Sequence, residues 1–295
     1  MSPSVSTQDL AVHLTALPDR EVAALLVARP DLAAPPSSSF LALATRAGAP
    51  GSIEHALAGL DAPTLAVAEA VVALSGPTES EETEGGGGTR TAEGDGSDGN
   101  VQSKGEPADP ADADLAGLVA AHLPLPAEQV SEALEHLGRL ALVIEGRPVA
   151  ALEAAFGPHP FGLGPWAAEP FSAEQLPPTL EELSEDAAGE PVVPAASVEM
   201  LQALTWGPPA GTLRAGGTAP GAAPLIDRGW LERSSDARGR TRFILPRQVA
   251  LALRGGRLTR ESLTAPEAGE LETVGGDVVA SESSFHAEET VRLVA

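Results

Sequence analysis

Apolar residues in the first quarter of the chain recur at intervals of three and four. Leu10, Leu14 and Leu17 fall on one helical face, and Val22, Leu25, Leu26 and Leu32 on a second. Ile53, Leu57 and Leu60 form a third face, and Leu65, Val67, Ala68, Val71 and Val72 a fourth. That spacing is the mark of helices with one side turned to a core. The punctuation falls between the faces: Pro18 and Asp19 start the second helix, and Pro30 ends it. Ser37, Ser38 and Ser39 offer N-caps ahead of Phe40, and Asp61 with Pro63 starts the last helix. Residues 1–74 are therefore predicted to form a compact bundle of four or five short helices.

The pattern then breaks. Residues 75–114 hold eleven acidic side chains against Arg90 and Lys104, a run of four glycines, and almost no large apolar group. Such a segment buries too little surface to offset an ordering cost of roughly 1 to 2 kcal/mol per residue, so it is expected to be a disordered linker. Asp95, Ser97 and Glu106 mimic three positions of a calcium loop, but Asn100 stands where that loop needs glycine. A solvated linker explains them better.

Periodicity resumes at Leu115. Leu115, Leu118 and Val119 begin a helix, residues 123–126 turn, and Val130, Leu134 and Leu137 form a second helix. Residues 141–145 read as a strand closed by Gly146 and Pro148. Helix, turn, helix, strand makes residues 115–158 a winged-helix-like module. Its second helix carries Glu128, Glu132 and Glu135 against Arg139 alone, which suits a structural or protein-facing role better than contact with phosphates. Residues 159–194 read as a Pro- and acid-rich connector with a short helical turn at 179–183. Residues 195–260 repeat the plan more fully: a helix on Val198, Leu201, Leu204 and Thr205, a stop at Trp206-Gly207-Pro208-Pro209, and a short helix at 222–228. A hairpin of residues 230–233 against 241–245 follows, and then a last helix at 249–253. Residues 261–295 form an acidic tail in which 285–295 resembles the start of a helix that is cut off. The fold class expected is mainly α with small β wings (α+β).

Composition narrows the function classes. The chain has a formal net charge of −24, 43% hydrophobic residues and no cysteine. Disulfide frameworks and thiolate chemistry are excluded, and a cytoplasmic protein without a membrane span is expected. Charge is distributed unevenly. Ten of the eighteen basic residues lie in 203–260, opposed there by Asp227, Glu232 and Asp236, so this stretch alone reverses the sign of the molecule. Alternation along the return strand of the hairpin puts Arg240, Arg242 and Ile244 on one face and Thr241, Phe243 and Leu245 on the other. Arg233, Arg238, Arg240, Arg242 and Arg247 are the candidate nucleic-acid contacts, with Arg254, Arg257 and Arg260 extending the band. The short helix before the hairpin offers only Asp227 and Arg228 to bases, so binding to DNA is expected to be weakly sequence-specific. An acidic protein partner, or plain solvated charge, fits the same residues.

Enzymatic motifs are absent. There is no Gly-x-x-x-x-Gly-Lys-Ser/Thr loop, and the one lysine, Lys104, lies in the linker. The six histidines never fall at metal-ligand spacing, Gly162-Leu163-Gly164 runs into Pro165-Trp166 instead of a helix, and Glu181, Glu182, Glu185 and Asp186 read as a solvated acidic face. No catalytic residue, metal or cofactor is expected.

Four segments carry a resemblance. Ala24-Leu25-Leu26-Val27-Ala28-Arg29-Pro30-Asp31-Leu32 with Pro35-Pro36 and Phe40, Trp206-Gly207-Pro208-Pro209, Gly229-Trp230-Leu231, and residues 245–256 (LPRQVALALRGG) resemble helicase-associated proteins of high-GC Gram-positive bacteria. Those proteins carry a domain similar to the N-terminal domain of XPB-type DNA repair helicases. The resemblance covers residues 10–74 and 195–256 and implies a non-catalytic accessory role in repair or transcription, with DNA or a helicase or repair protein as partner. A protein-protein interaction scaffold that binds no nucleic acid is the alternative. Family members usually run longer than this chain, and the acidic linker is longer than the family pattern suggests.

Overall fold

The computed structural model describes residues 4–76, 110–184, 192–213, 217–235 and 238–263. The linker calls, including Asp95, Ser97 and Glu106, and the calls on the acidic tail lie outside these residues, apart from the linker's two ends. Met1–Leu263 form one compact unit. It is mainly helical, with two small antiparallel sheets.

Six helices precede the linker: α1 (Thr7–Ala16), α2 (Asp19–Ala28), α3 (Pro30–Ala33), α4 (Phe40–Ala47), α5 (Pro50–Ala58) and α6 (Ala62–Leu74). Their starts follow local chemistry. The Ser39 hydroxyl accepts from the Ala42 amide at 3.1 Å, and Asp61 accepts from Thr64 at 2.8 Å, each satisfying an amide that the helix leaves unpaired. Ser6 and Asp9 form a reciprocal capping box on α1. Pro30 ends α2 as expected and also occupies the first position of α3, where its fixed φ favours a helix start.

Helix α6 departs from the one-sided pattern read for it. Ala66, Val67, Ala68, Ala70, Val71, Val72, Ala73 and Leu74 are all buried, because α6 packs against α7 (Pro110–Ala120), α8 (Ala127–Arg139) and α9 (Ala150–Phe156) together. A helix that is apolar all round is a central helix, and its alanines let the neighbours approach closely. The modules separated in the sequence reading thus share one core here. Glu69 is the polar residue on the buried run of α6. It accepts from the Phe161 amide at 2.6 Å, and burial raises its carboxyl above the usual range while that hydrogen bond works the other way.

The strand expected at 141–145 is shorter and has unforeseen partners. Ala141 adopts φ 54 and closes α8, with the Leu142 amide donating to Leu137 O and the Ala141 amide to Gly138 O, a Schellman cap with alanine in glycine's place. Only Val143–Ile144 remain as β1, paired with β2 (Arg147–Pro148) across Glu145 and Gly146. Both turn residues have positive φ, the requirement of the tight hairpin turn that matches strand twist. Val5 adds a parallel bridge at Val149.

The connector packs. It supplies one 3-10 turn (Pro160–Gly162), buried Leu163, and α10 (Leu180–Ser184) at the predicted helical turn. Trp166 donates to Ser75 O at 2.7 Å, and Trp230 donates to Gln175 O at 2.7 Å. Gly164 lies so near the backbone of Leu245 that a Cβ there would sit 2.0 Å from Leu245 O, and only glycine permits that approach. The second sheet has the order β3-β5-β4, from β3 (Ala210–Thr212), β4 (Glu232–Ser235) and β5 (Thr241–Ile244). It is set among α11 (Ala195–Thr205), α12 (Ala222–Asp227) and α13 (Arg247–Leu253). The sequence reading missed β3, whose three residues include a glycine.

Candidate nucleic-acid interface

Register decides which side chains the β4–β5 hairpin presents together. Glu232 pairs with Ile244, Arg233 with Phe243, Ser234 with Arg242 and Ser235 with Thr241, and directly opposed residues share a face. Phe243 and Leu245 are buried, so the alternation read from the sequence holds, and Arg242, half-buried, lies on the outer face. Thr212 of β3 and Ser234 flank it there, and Glu232 shares that face. Arg238 and Arg240 are exposed beside the turn, where Gly239 has φ 72. Arg233, opposite Phe243, is exposed on the other side of the sheet. The wing therefore offers Arg238, Arg240 and Arg242 at one end and outer face, with Arg233 around the edge.

Arg247 does not join them. It is 7% exposed, and its guanidinium donates to Gly164 O at 2.9 Å and Ala73 O at 2.7 Å while stacking 5.3 Å from the Trp166 ring centre. Desolvation brings its pKa down to about 10, with Glu153 acting in the opposite sense; it stays charged at neutral pH. Both its hydrogen-bonding capacity and its ring contact are spent inside the protein, so the expected phosphate contact at Arg247 is withdrawn. Arg254 is likewise removed from the band. At 2% exposure it donates to Thr205 O at 2.8 Å and Phe161 O at 3.1 Å and lies 4.3 Å over Trp206. Arg257 remains outside but pairs with Glu181 at 3.5 Å, and Arg260 is exposed.

A third buried arginine shows what these residues do. Arg29, 1% exposed, donates to Leu140 O at 3.2 Å and to Ala47 O and Ser52 O at 3.1 Å. Leu140 is the C-cap of α8, Ala47 ends α4, Ala73 is in the last turn of α6, and Thr205 ends α11. Each buried guanidinium thus gathers carbonyls left unpaired at helix C-termini, where the helix dipole also favours a cation. The sequence held a signal for this. Leu25, Arg29 and Leu32 follow core spacing, and so do Arg247, Ala250 and Arg254, so an arginine in an apolar stripe marks an internal tie.

Base reading has little to work with. At the C-cap of α12, Arg228 donates to Val192 O at 2.8 Å and Pro224 O at 3.3 Å and rests 5.8 Å from the Trp230 ring centre. The helix α8 of the first module buries Val130, Ala133 and Leu137 and exposes Glu128, Glu132 and Glu135.

No family model, curated protein or solved structure matches this chain. Two of the segments behind the family resemblance touch, 206–209 and 245–256. Leu245 N donates to Pro209 O at 2.8 Å, Arg254 covers Trp206, and Gly229, at φ 73, turns the chain from α12 into Trp230. These are packing residues, and all three buried arginines belong to the four segments. Among the described residues no cluster of three or more His, Asp or Glu could hold a metal, and no helix is long and apolar enough to cross a membrane.

Proposed function

We propose that this chain is a non-catalytic, cytoplasmic accessory of the helicase-associated, XPB N-terminal-like kind, which binds or positions DNA in repair or transcription. The observation that carries the reading is the β4–β5 hairpin, which presents Arg238, Arg240 and Arg242 together at one end of a protein whose net charge is −24. The winged-helix reading of 195–260 draws support from the sheet order β3-β5-β4 and its placement among α11, α12 and α13. Arginine clusters meet phosphates through paired donors, and with Arg228 tied to carbonyls the contact is one of backbone, with little sequence preference. Long-range repulsion from the acidic body limits affinity, so binding relies on contact within a Debye length of about 10 Å at 0.1 M salt.

The test is fluorescence anisotropy of labelled single-stranded and duplex DNA at roughly 50 and 200 mM salt. Three phosphate contacts predict about a fortyfold loss of affinity across that range. Arg240→Glu combined with Arg242→Glu removes the binding, whereas Arg247→Lys leaves it in place. If wild-type protein fails to bind at the lower salt, the interaction scaffold without nucleic-acid contact becomes the better reading. Turnover in a phosphate-release assay with ATP and DNA would overturn the non-catalytic assignment.

A further inference from the structure

A second surface lies within the N-terminal part of the molecule. Helices α1, α2, α7 and α8 and the β1–β2 hairpin enclose an open groove of about 580 Å3, the size range of sites that receive several side chains. Its walls are apolar: Leu17 and Leu25 from the first two helices, Leu134 from α8, and Val143 and Ile144 from β1. Leu17 and Leu134 are only partly buried although they pack on the core. The rim is acidic. Glu21, Glu135 and Glu145 stand around the opening, with Arg139 the one arginine lining it. Burial depresses the pKa of His13 on the groove wall, and Glu145 and Glu21 act against that shift, so the field of these carboxylates reaches the interior. Each of the three carboxylates has an arginine beside it: Arg20 lies 3.5 Å from Glu21, Arg139 3.9 Å from Glu135, and Arg147 3.4 Å from Glu145. Exposed pairs of this kind contribute about 0 to 1 kcal/mol and exchange readily for an incoming cation.

We infer that this groove docks a basic amphipathic helix from a partner protein. Three features select that occupant. The apolar walls call for leucine-like side chains, and the carboxylate rim calls for lysine or arginine beside them. The β1 strand has only two residues, too short an edge for an added strand, so side-chain packing has to supply the affinity. The chain's own remaining segments carry the wrong charge: residues 77–109 hold nine carboxylates against Arg90 and Lys104, and residues 264–295 hold seven against Arg292. A second copy is disfavoured because its exposed cations Arg238 and Arg240 lie beside a strand hairpin and not on an amphipathic helix. The groove and the wing share no residue, so changes confined to one should leave the other in place.

The experiment titrates full-length protein with a synthetic helical peptide bearing leucines at i, i+3, i+4 and i+7 and arginines elsewhere, while methyl NMR signals of Leu17, Leu134 and Ile144 are followed. Two control peptides replace the leucines by serine or the arginines by glutamate. Saturable shifts at these methyls, seen only with the first peptide, are expected. Glu21→Lys, Glu135→Lys and Glu145→Lys together change exposed rim residues without touching the core, and should weaken binding at least tenfold. Leu134→Ser should weaken it in a second variant, and Arg240→Glu with Arg242→Glu should have no effect. Equal binding of the serine peptide, or unchanged affinity in the rim variant, would mean diffuse attraction to an acidic surface and overturn the proposal. So would methyl shifts at the groove that depend on protein concentration, which mark a second copy as occupant. Perturbation of the Leu134 methyl by Leu293→Ser with no peptide binding would give the groove to the tail and also overturn it.

Discussion

The hairpin β1–β2 follows helices α7 and α8 and leads into α9, while β4–β5 follows α11 and α12 and leads into α13. The first has strands of two residues and a two-residue turn, takes its third member from Val5 near the chain start, and turns Glu145 outward. The second has strands of four residues, takes β3 from its own module, and carries Arg238 and Arg240 beside its turn. A short hairpin ends within the body and becomes the wall of a groove. The longer one leaves Arg238 and Arg240 exposed, two of the side chains on which the proposed DNA contact rests. Strand length and turn charge thus distinguish two hairpins built on one connection plan.

The largest expected effect comes from the residue that follows the longer hairpin. Arg247→Ala leaves Ala73 O and Gly164 O without their donor and should cost about 2 to 4 kcal/mol, measured by urea denaturation. DNA affinity per folded molecule should be unchanged. If DNA binding fell while stability held, the division between buried and exposed arginines would be broken. Next comes Gly146→Ala in the shorter hairpin, where φ is 71. Strain in the left-handed region should cost about 1 kcal/mol and weaken peptide binding at the groove, with DNA binding unaffected. The double change Arg240→Glu and Arg242→Glu sharpens the contrast from the other side. Its stability effect should stay within about 0.5 kcal/mol, as for ordinary surface positions, while DNA affinity is lost.

The smallest effect is a pH dependence. Burial raises the folded-state pKa of Glu69, so the native protein holds this proton more tightly than the unfolded chain. The resulting stability is fully present below the usual glutamate range and is lost as pH rises through the raised folded value. Glu69→Gln should remove that slope, and the variant should gain on the wild type across this window in denaturation midpoints taken at stepped pH.

Local chemistry made much of the fold legible. Ser39, Asp61 and Pro30 mark helix ends because capping acts within a turn of sequence. The alternation of Arg242 and Phe243 was readable because strand period is fixed. What could not be read was long-range: the Val5 bridge to Val149, the two-residue β2, and the all-round burial of α6. Of the candidate site, Arg233, Arg238 and Arg240 emerged exposed and Arg242 half-buried, whereas Arg247 did not, because a charge count ignores what a guanidinium touches. The groove was invisible because its walls come from α1, α2, α7, α8 and β1, brought together only by the folded chain.

The Arg29 guanidinium, donating to Leu140 across 111 positions of sequence, and α6, packed on α7 and α8, hold together the two sides of residues 77–109. Lengthening that stretch costs little, since doubling a connecting loop costs only about 0.6 kcal/mol. Two polypeptides divided within 77–109 should find each other and complete the same core, and a reporter domain inserted there should leave both the groove and the wing in working order.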